Sequence, residues 1–262
     1  MIGNKNTLTR LKRVFLEGFS VSDITEPLVS FDATAPAAEV RAFMQELGYE
    51  TVGVRVDGVV AGYVNREELK SGPCRGCLHA FDAAEVVPDS SSIPDVVVKL
   101  DQLPRLFVTA FGQVGGILTR TDLQKPPARM WLFGVITIVE IGLTRLIQDR
   151  FADGAWQSFL SEARLDKAKA LLAERKRRNQ EPALLDCLQL SDKGQIVLRN
   201  EDLWKTAGFR SRNKGEESMK QIEALRNNLA HSQDIIVHDW QTIVKLTTFL
   251  DVLFDKHGLQ TQ

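Results

Sequence analysis

The sequence predicts an α+β first half followed by an all-α second half. Three observations carry this prediction. The first half repeats itself: slid by 54 positions, Val54 falls on Val108, Gly58 on Gly112, Val60 on Val114, Gly62 on Gly116, Arg66 on Arg120 and Leu69 on Leu123, which marks an internal duplication. Lys125-Pro126-Pro127 stops any helix running into it, because a residue before proline is pushed out of the α region. After those prolines helical periodicity dominates and strand-like alternation nearly vanishes. The expected organisation is an N-terminal helix over 1–20, repeat one over 21–71, repeat two over 72–125, and a helical bundle over 126–262.

Each repeat has one grammar. Helices are expected at 37–47 and, more weakly, at 92–100. A hairpin follows, TVGVRV-DG-VVAGYV in the first copy and RLFVTA-FG-QVGGIL in the second. Asp57-Gly58 suits a two-residue turn that needs positive φ. Each hairpin then enters a polar segment that opens a short helix, NREEL or TRTDL.

The second half reads as helices at 128–150, 155–178 and 182–190, a turn around Lys193-Gly194, and further helices at 201–207 and 216–229. Asp239 is the expected cap of the last helix and Gly258 its stop. The bundle is expected to be antiparallel, with a broken middle.

Composition narrows the function classes. The formal net charge of -1 excludes a polybasic nucleic-acid binder. Residues 126–262 hold 20 Lys+Arg against 18 Asp+Glu, while residues 1–125 hold 13 against 16, so affinity for a polyanion belongs in the second half. The start has basic residues but no apolar core of the kind a secretory signal needs. The apolar run 130–147 carries Glu140 and Arg145, so it reads as a buried helix and no membrane association is expected. Three cysteines form no disulfide framework, which fits a reducing cytoplasm.

The tandem β-α-β-β-α unit, ending Gly115-Gly116-Ile117-Leu118-Thr119-Arg120-Thr121-Asp122-Leu123, resembles a CBS domain pair over roughly residues 20–125. In that family two units pack about a pseudo-twofold axis and form up to two clefts for adenine nucleotides. The resemblance implies a regulatory ligand of that class (AMP, ADP or ATP). Asp122 would accept from both ribose hydroxyls, and Thr119, with Arg120 and Thr121 beside it, would hold a phosphate. The first copy departs from the pattern, with Asn65 in the place of Thr119 and Glu67-Glu68 in that of Thr121-Asp122. One competent cleft around Asp122 and one degenerate cleft are therefore expected. Thr119-x-x-Asp122 is also a capping-box signature, and the two roles are compatible.

The stretch Arg226-Asn227-Asn228-Leu229-Ala230-His231 lies late in the helical half. On an unbroken helix Arg226 and His231 stand about 140° apart, so a twofold dimer is the natural way to gather them. Arginine, four intervening residues with a polar one first, then histidine, in a bundle of this length, resembles the HEPN domain over roughly residues 127–257. Many of its members are metal-independent endoribonucleases that act as dimers; others only bind. The fold implied is an α+β tandem CBS pair followed by an all-α, HEPN-like bundle. The chemistry implied is attack by the RNA 2′-hydroxyl, proton transfer by His231, charge stabilisation by Arg226 and orientation by Asn227. RNA, an adenine nucleotide and a second copy of the chain are the expected partners, and a toxin held by an antitoxin shares the same chemistry.

Other features are assigned bland roles or minor ones. Arg210, Arg212 and Lys214, expected in the loop before the motif helix, are the RNA-contact candidates. Arg175–Arg178 suits a solvated helix end. Cys74, Cys77 and His79 lack a fourth zinc ligand and read as loop. Cys187 reads as core, and His238 and His257 as surface. Glu140 is open to pairing with Arg145 or Arg226.

Overall fold

A computed structural model describes residues 10–255 except 12 and 16, with side chains up to 249 except 248. The expected Gly258 stop and His257 lie outside the described residues. The chain divides into two compact units, Ser20–Pro127 and a second made of Met1–Phe19 with Ala128–Gln262.

In the first unit the strands are β1 (Glu26–Pro27), β2 (Ser30–Asp32), β3 (Thr51–Val56), β4 (Val59–Asn65), β5 (Val86–Pro88), β6 (Arg105–Ala110) and β7 (Gln113–Thr119). They form two sheets, ordered β2-β3-β4 and β1-β7-β6-β5. The helices are α1 (Ala37–Leu47) and α2 (Ile93–Gln102). Ala37, Val40 and Met44 give α1 a buried face at helical spacing, and Gly48 ends it at φ 74°. Ser92 caps α2, accepting from the Asp95 amide, and Val96, Val97 and Leu100 are buried.

The duplication is visible in the backbone. In each copy a parallel strand pair is followed by an antiparallel hairpin, and both hairpins are irregular at the same step, Val54/Arg55 and Val108/Thr109. Both tips carry two positive φ angles, at Asp57 and Gly58 and at Phe111 and Gly112, the geometry that matches strand twist. The hairpins repeat at 105 − 51 = 54, but the helices repeat at 93 − 37 = 56. From helix start to hairpin the second copy is therefore two residues shorter, one in the helix and one in the loop after it, which is why the ungapped match stops there.

The two copies exchange their lead-in segments. A 3-10 turn before the first copy, Val21–Asp23, docks on the second: Val21 N–H donates to Ser91 O at 2.9 Å and Ser22 N–H to Asp89 O at 3.0 Å. The turn before the second copy, Cys74–Cys77, docks on the first: Cys74 N–H donates to Ala35 O and Arg75 N–H to Ala33 O, both at 2.9 Å. The chain beyond each turn then crosses the other copy's last strand. β1 pairs with β7 at Ile117 and Gly116, and Tyr63 of β4 exchanges hydrogen bonds with His79 at 2.9 and 2.8 Å. This explains the repeated glycine. A Cβ at Gly62 would sit 2.1 Å from His79 O, and one at Gly116 would sit 2.3 Å from Thr25 Cγ2.

The second unit is helical: α3 (Pro126–Arg150), α4 (Glu162–Arg177), α5 (Leu190–Leu198), α6 (Glu201–Thr206), α7 (Arg212–Ala230) and α8 (Ile236–Asp255). Residues 10, 11 and 13–15 are helical as well, and Phe15 packs where a Cβ on Gly134 would be. By length and composition α3 could cross a membrane, but Trp131, Leu132, Val135, Ile138 and Val139 are buried. It serves as the core helix.

Several expected boundaries move. The expected helix at 155–178 breaks after a 3-10 turn, Ala155–Phe159, and restarts at Glu162. The helix expected at 182–190 is a 3-10 turn over Leu184–Cys187. Lys193-Gly194 is not a turn but the buried middle of α5, where Met219 of α7 lies against the Gly194 backbone. The motif helix starts at Arg212, capped by Ser211, so Arg212 and Lys214 are helical rather than in a loop. Asp234, not Asp239, caps α8, accepting from the Ile236 and Val237 amides at 2.8 and 3.0 Å.

Candidate functional site

In the first unit the Thr119–Asp122 turn closes as a capping box. Asp122 is buried, and its Oδ2 accepts from Thr119 N–H at 2.7 Å and from the Thr119 hydroxyl at 2.9 Å. Its Oδ1 lies 2.9 Å from Lys125 Nζ, which also reaches Glu26 at 2.5 Å and Ile24 O at 2.6 Å. Burial disfavours the Lys125 charge, but Glu26 and Asp122 outweigh it and hold the pKa above the ordinary lysine value. The Thr121 hydroxyl lies 2.7 Å from that of Thr119. Arg120 turns away from this group and donates to Leu100 O and Asp101 O, at the end of α2.

The matching turn of the first copy is wired differently. Glu68 accepts from Asn65 Nδ2 at 3.2 Å and pairs with His79, whose ring stacks on Tyr63 with centroids 5.3 Å apart. The hydrogen bond from His79, then that from Asn65, holds the Glu68 carboxyl below the usual glutamate range. Cys77 Sγ lies 3.3 Å from Glu68 O, and Cys74 is buried, which pushes its thiol pKa up. Among the described residues no group of three His, Cys, Asp or Glu is placed to hold a metal.

In the second unit Arg226 lines a cleft of about 330 Å³ together with Phe133, Glu140, Arg175 and Gln189. Arg226 is half-buried and makes no hydrogen bond or ion pair among the described residues. Arg175 holds Asp186 O at 3.3 Å, and Phe133 is 51% exposed at the rim. Among the described residues Glu140 pairs with Lys193, at 2.7 Å, rather than with Arg226, and that lysine is buried. Cys187 also lines this cleft, and burial, the largest influence, raises its thiol pKa. Arg177 and Arg178 pair with Glu174 at the exposed end of α4.

His231 does not share the cleft. It is the exposed C-cap of α7, its N–H bonded to Asn227 O at 3.0 Å. The helix runs unbroken from Arg226 to Ala230, so within one chain the two side chains point apart. Asn227 is exposed, and its neighbour Asn228 is the anchored one, donating to the buried Asp239 at 2.7 Å. Arg210 and Lys214 line a separate, largely apolar cavity of about 600 Å³ with Phe209, Ile222, Leu246 and Phe249. Arg212 and Lys214 are each paired along α7, with Glu216 and Glu217 at 2.9 Å.

No family model matches the chain, and no curated protein matches it. Solved structures similar to its N-terminal part are CBS-domain proteins. CBSX2, in complex with AMP, is 21% identical over 40% of this chain and 93% of its own, with a TM-score of 0.36. The CBS domain of the bacterial CNNM/CorC family Mg2+ transporter, in complex with ATP, is 19% identical over 46% of this chain and 94% of its own, also at 0.36. A hemolysin-like CBS-domain protein from Oenococcus oeni PSU is 17% identical over 44% and 94%, at 0.35.

Proposed function

We propose that this chain is an adenine-nucleotide-regulated, metal-independent endoribonuclease of the cytoplasm, active as a homodimer. The observation that carries the reading is Arg226: a half-buried guanidinium without a protein partner among the described residues, facing a polar cleft, on the helix that ends at His231. A cation is costly to bury unless something pairs with it, and an RNA phosphate is a suitable counter-charge. Two copies related by a twofold axis would set the His231 of one beside the Arg226 of the other. His231 would then exchange a proton with the 2′-hydroxyl or the leaving 5′-oxygen, leaving a cyclic phosphate and a 5′-hydroxyl. In the first unit the Thr119–Asp122 turn would take the nucleotide ribose and phosphate, with the first copy's turn kept closed by Glu68 and His79.

A second reading is favoured by the separation of Arg226 and His231: a nucleotide-sensing adaptor whose helical half only binds. Cleavage of a mixed RNA pool in EDTA distinguishes the two, using wild type, Arg226→Ala and His231→Ala with and without ATP and AMP. The nuclease reading expects cleavage by wild type, lost in both variants while RNA binding survives in His231→Ala. Absence of cleavage under every condition, with nucleotide bound, selects the adaptor.

A further inference from the structure

The end of the motif helix is held by a residue from the start of α3. Arg129 Nη1 donates to Gln233 O at 3.0 Å, and its Nη2 donates to Asn228 O at 3.1 Å and Leu229 O at 3.2 Å. These carbonyls bracket His231. The last carbonyls of a helix lack partners inside it, and a planar guanidinium can serve several at once. The turn is otherwise unusual, since Ser232 takes φ 54° where glycine is favoured. Arg129 therefore fixes the geometry in which His231 is presented.

Arg129 also has a telling place in the chain. Helix α3 begins at Pro126. Its immediate predecessor, Lys125, is the residue bound to Asp122, Glu26 and Ile24 O. Only Pro126, Pro127 and Ala128 separate Lys125 from Arg129. Two of these have φ fixed by their rings, and all three are already helical. The candidate nucleotide turn and the His231 turn are thus fastened to the two ends of one five-residue stretch, 125–129, which has little slack to absorb a displacement.

We propose that Arg129 is a positioning residue that couples occupancy of the Thr119–Asp122 turn to the conformation of the His231 turn. The inference rests on the nucleotide-sensing reading above. Ribose hydroxyls donating to Asp122 compete with Lys125 for Oδ1. Lys125 then resettles between Glu26 and Ile24 O, the start of α3 follows, and Arg129 changes its hold on Asn228, Leu229 and Gln233. The nucleotide acts only in so far as it favours one arrangement of this stretch over the other.

Hydrogen exchange measured by mass spectrometry on the full chain tests this, with and without ATP or AMP, beside calorimetric binding of the same nucleotides. In wild type, nucleotide is expected to change exchange of amides 228–235 by about threefold or more. Arg129→Ala is expected to bind nucleotide with a Kd within about threefold of wild type, the most that loss of a coupling of this size can change it, and to lose that difference, whatever its basal exchange. Arg129→Lys, which keeps the charge but not the fork, serves if the alanine variant fails to fold, and is expected to lose most of it. Nucleotide bound with amides 228–235 unaltered in wild type overturns the coupling, as does a full response in both Arg129 variants. No binding of either nucleotide overturns the sensing reading, and the coupling with it, and the calorimetry separates this outcome from the others.

Discussion

Lys193 and Glu140 form an ion pair in which the two partners are unequally buried. Their charged atoms are 2.7 Å apart, with side-chain exposure of 5% for the lysine and 33% for the glutamate. This asymmetry determines which partner is dispensable. Glu140→Gln leaves an ammonium buried without its counter-charge, and is expected to cost about 2–3 kcal/mol. Lys193→Met leaves a carboxylate that can turn toward the water of the cleft, and is expected to cost less than about 1.5 kcal/mol. Urea unfolding of the two variants measures the order, and a larger loss in Lys193→Met would refute the argument from burial.

The glycine that recurs in both hairpins gives a second test. Gly62→Ala would drive a methyl into the His79 carbonyl, part of a backbone segment held by two hydrogen bonds. A loss of about 2–3 kcal/mol is expected, the usual range for overpacking. Gly116→Ala meets chiefly the Thr25 side-chain methyl and is expected to cost less. Gly115→Ala, with nothing within 4 Å, is the control for loss of glycine as such.

Phe111 occupies a left-handed turn position at φ 53° and is fully exposed. A bulky residue there is strained, and asparagine is the favoured type. Phe111→Asn is expected to raise stability by about 0.5–1 kcal/mol. A drop in melting temperature would mean that the ring has contacts the free chain does not display.

The Glu68 carboxyl titrates below the ordinary value of 4.5, held down first by the hydrogen bond from His79 and then by that from Asn65. An acid whose folded pKa lies under its unfolded one stabilises the fold above the unfolded value and loses that contribution as pH falls through the folded one. Replacing it, as in Glu68→Gln, is expected to flatten the acid side of the stability profile below pH 4.5. The group is 43% exposed, so solvent screening keeps the effect under about 1 kcal/mol. Melting temperature followed from pH 7 to pH 3 tests it, and parallel curves for the two proteins would count against the assignment.

Local signals were readable in the sequence and distant partners were not. The hairpins followed from alternation broken by Asp57-Gly58 and by its second-copy counterpart. The recurrence of Gly62 at Gly116 was visible as a repeat, but its cause lies at His79 and Thr25, on the exchanged segments. Lys193-Gly194 looked like punctuation because glycine breaks helices; the helix closes over it because Met219, 25 positions on, fills the space. Asp239 had the composition of a cap, yet Asn228 claims its side chain and Asp234 caps instead. At the candidate site, Arg226 and His231 stood out by type and spacing. That Glu140 belongs to Lys193, and that Arg129 holds the turn around His231, depends on contacts spanning 53 and about 100 positions.

The exchanged lead-in turns make each repeat depend on the other. Val21–Asp23 and Cys74–Cys77 each dock on the sibling repeat through backbone hydrogen bonds. A solitary repeat would offer a turn with nowhere to dock and leave the backbone of its last strand uncovered, so it could be whole only beside a reciprocating twin. Two separate copies of the unit could meet the same need only by pairing as a symmetric dimer. Carrying both units on one chain keeps the partnership permanent and lets the two turns differ, as Glu68 and Asp122 do.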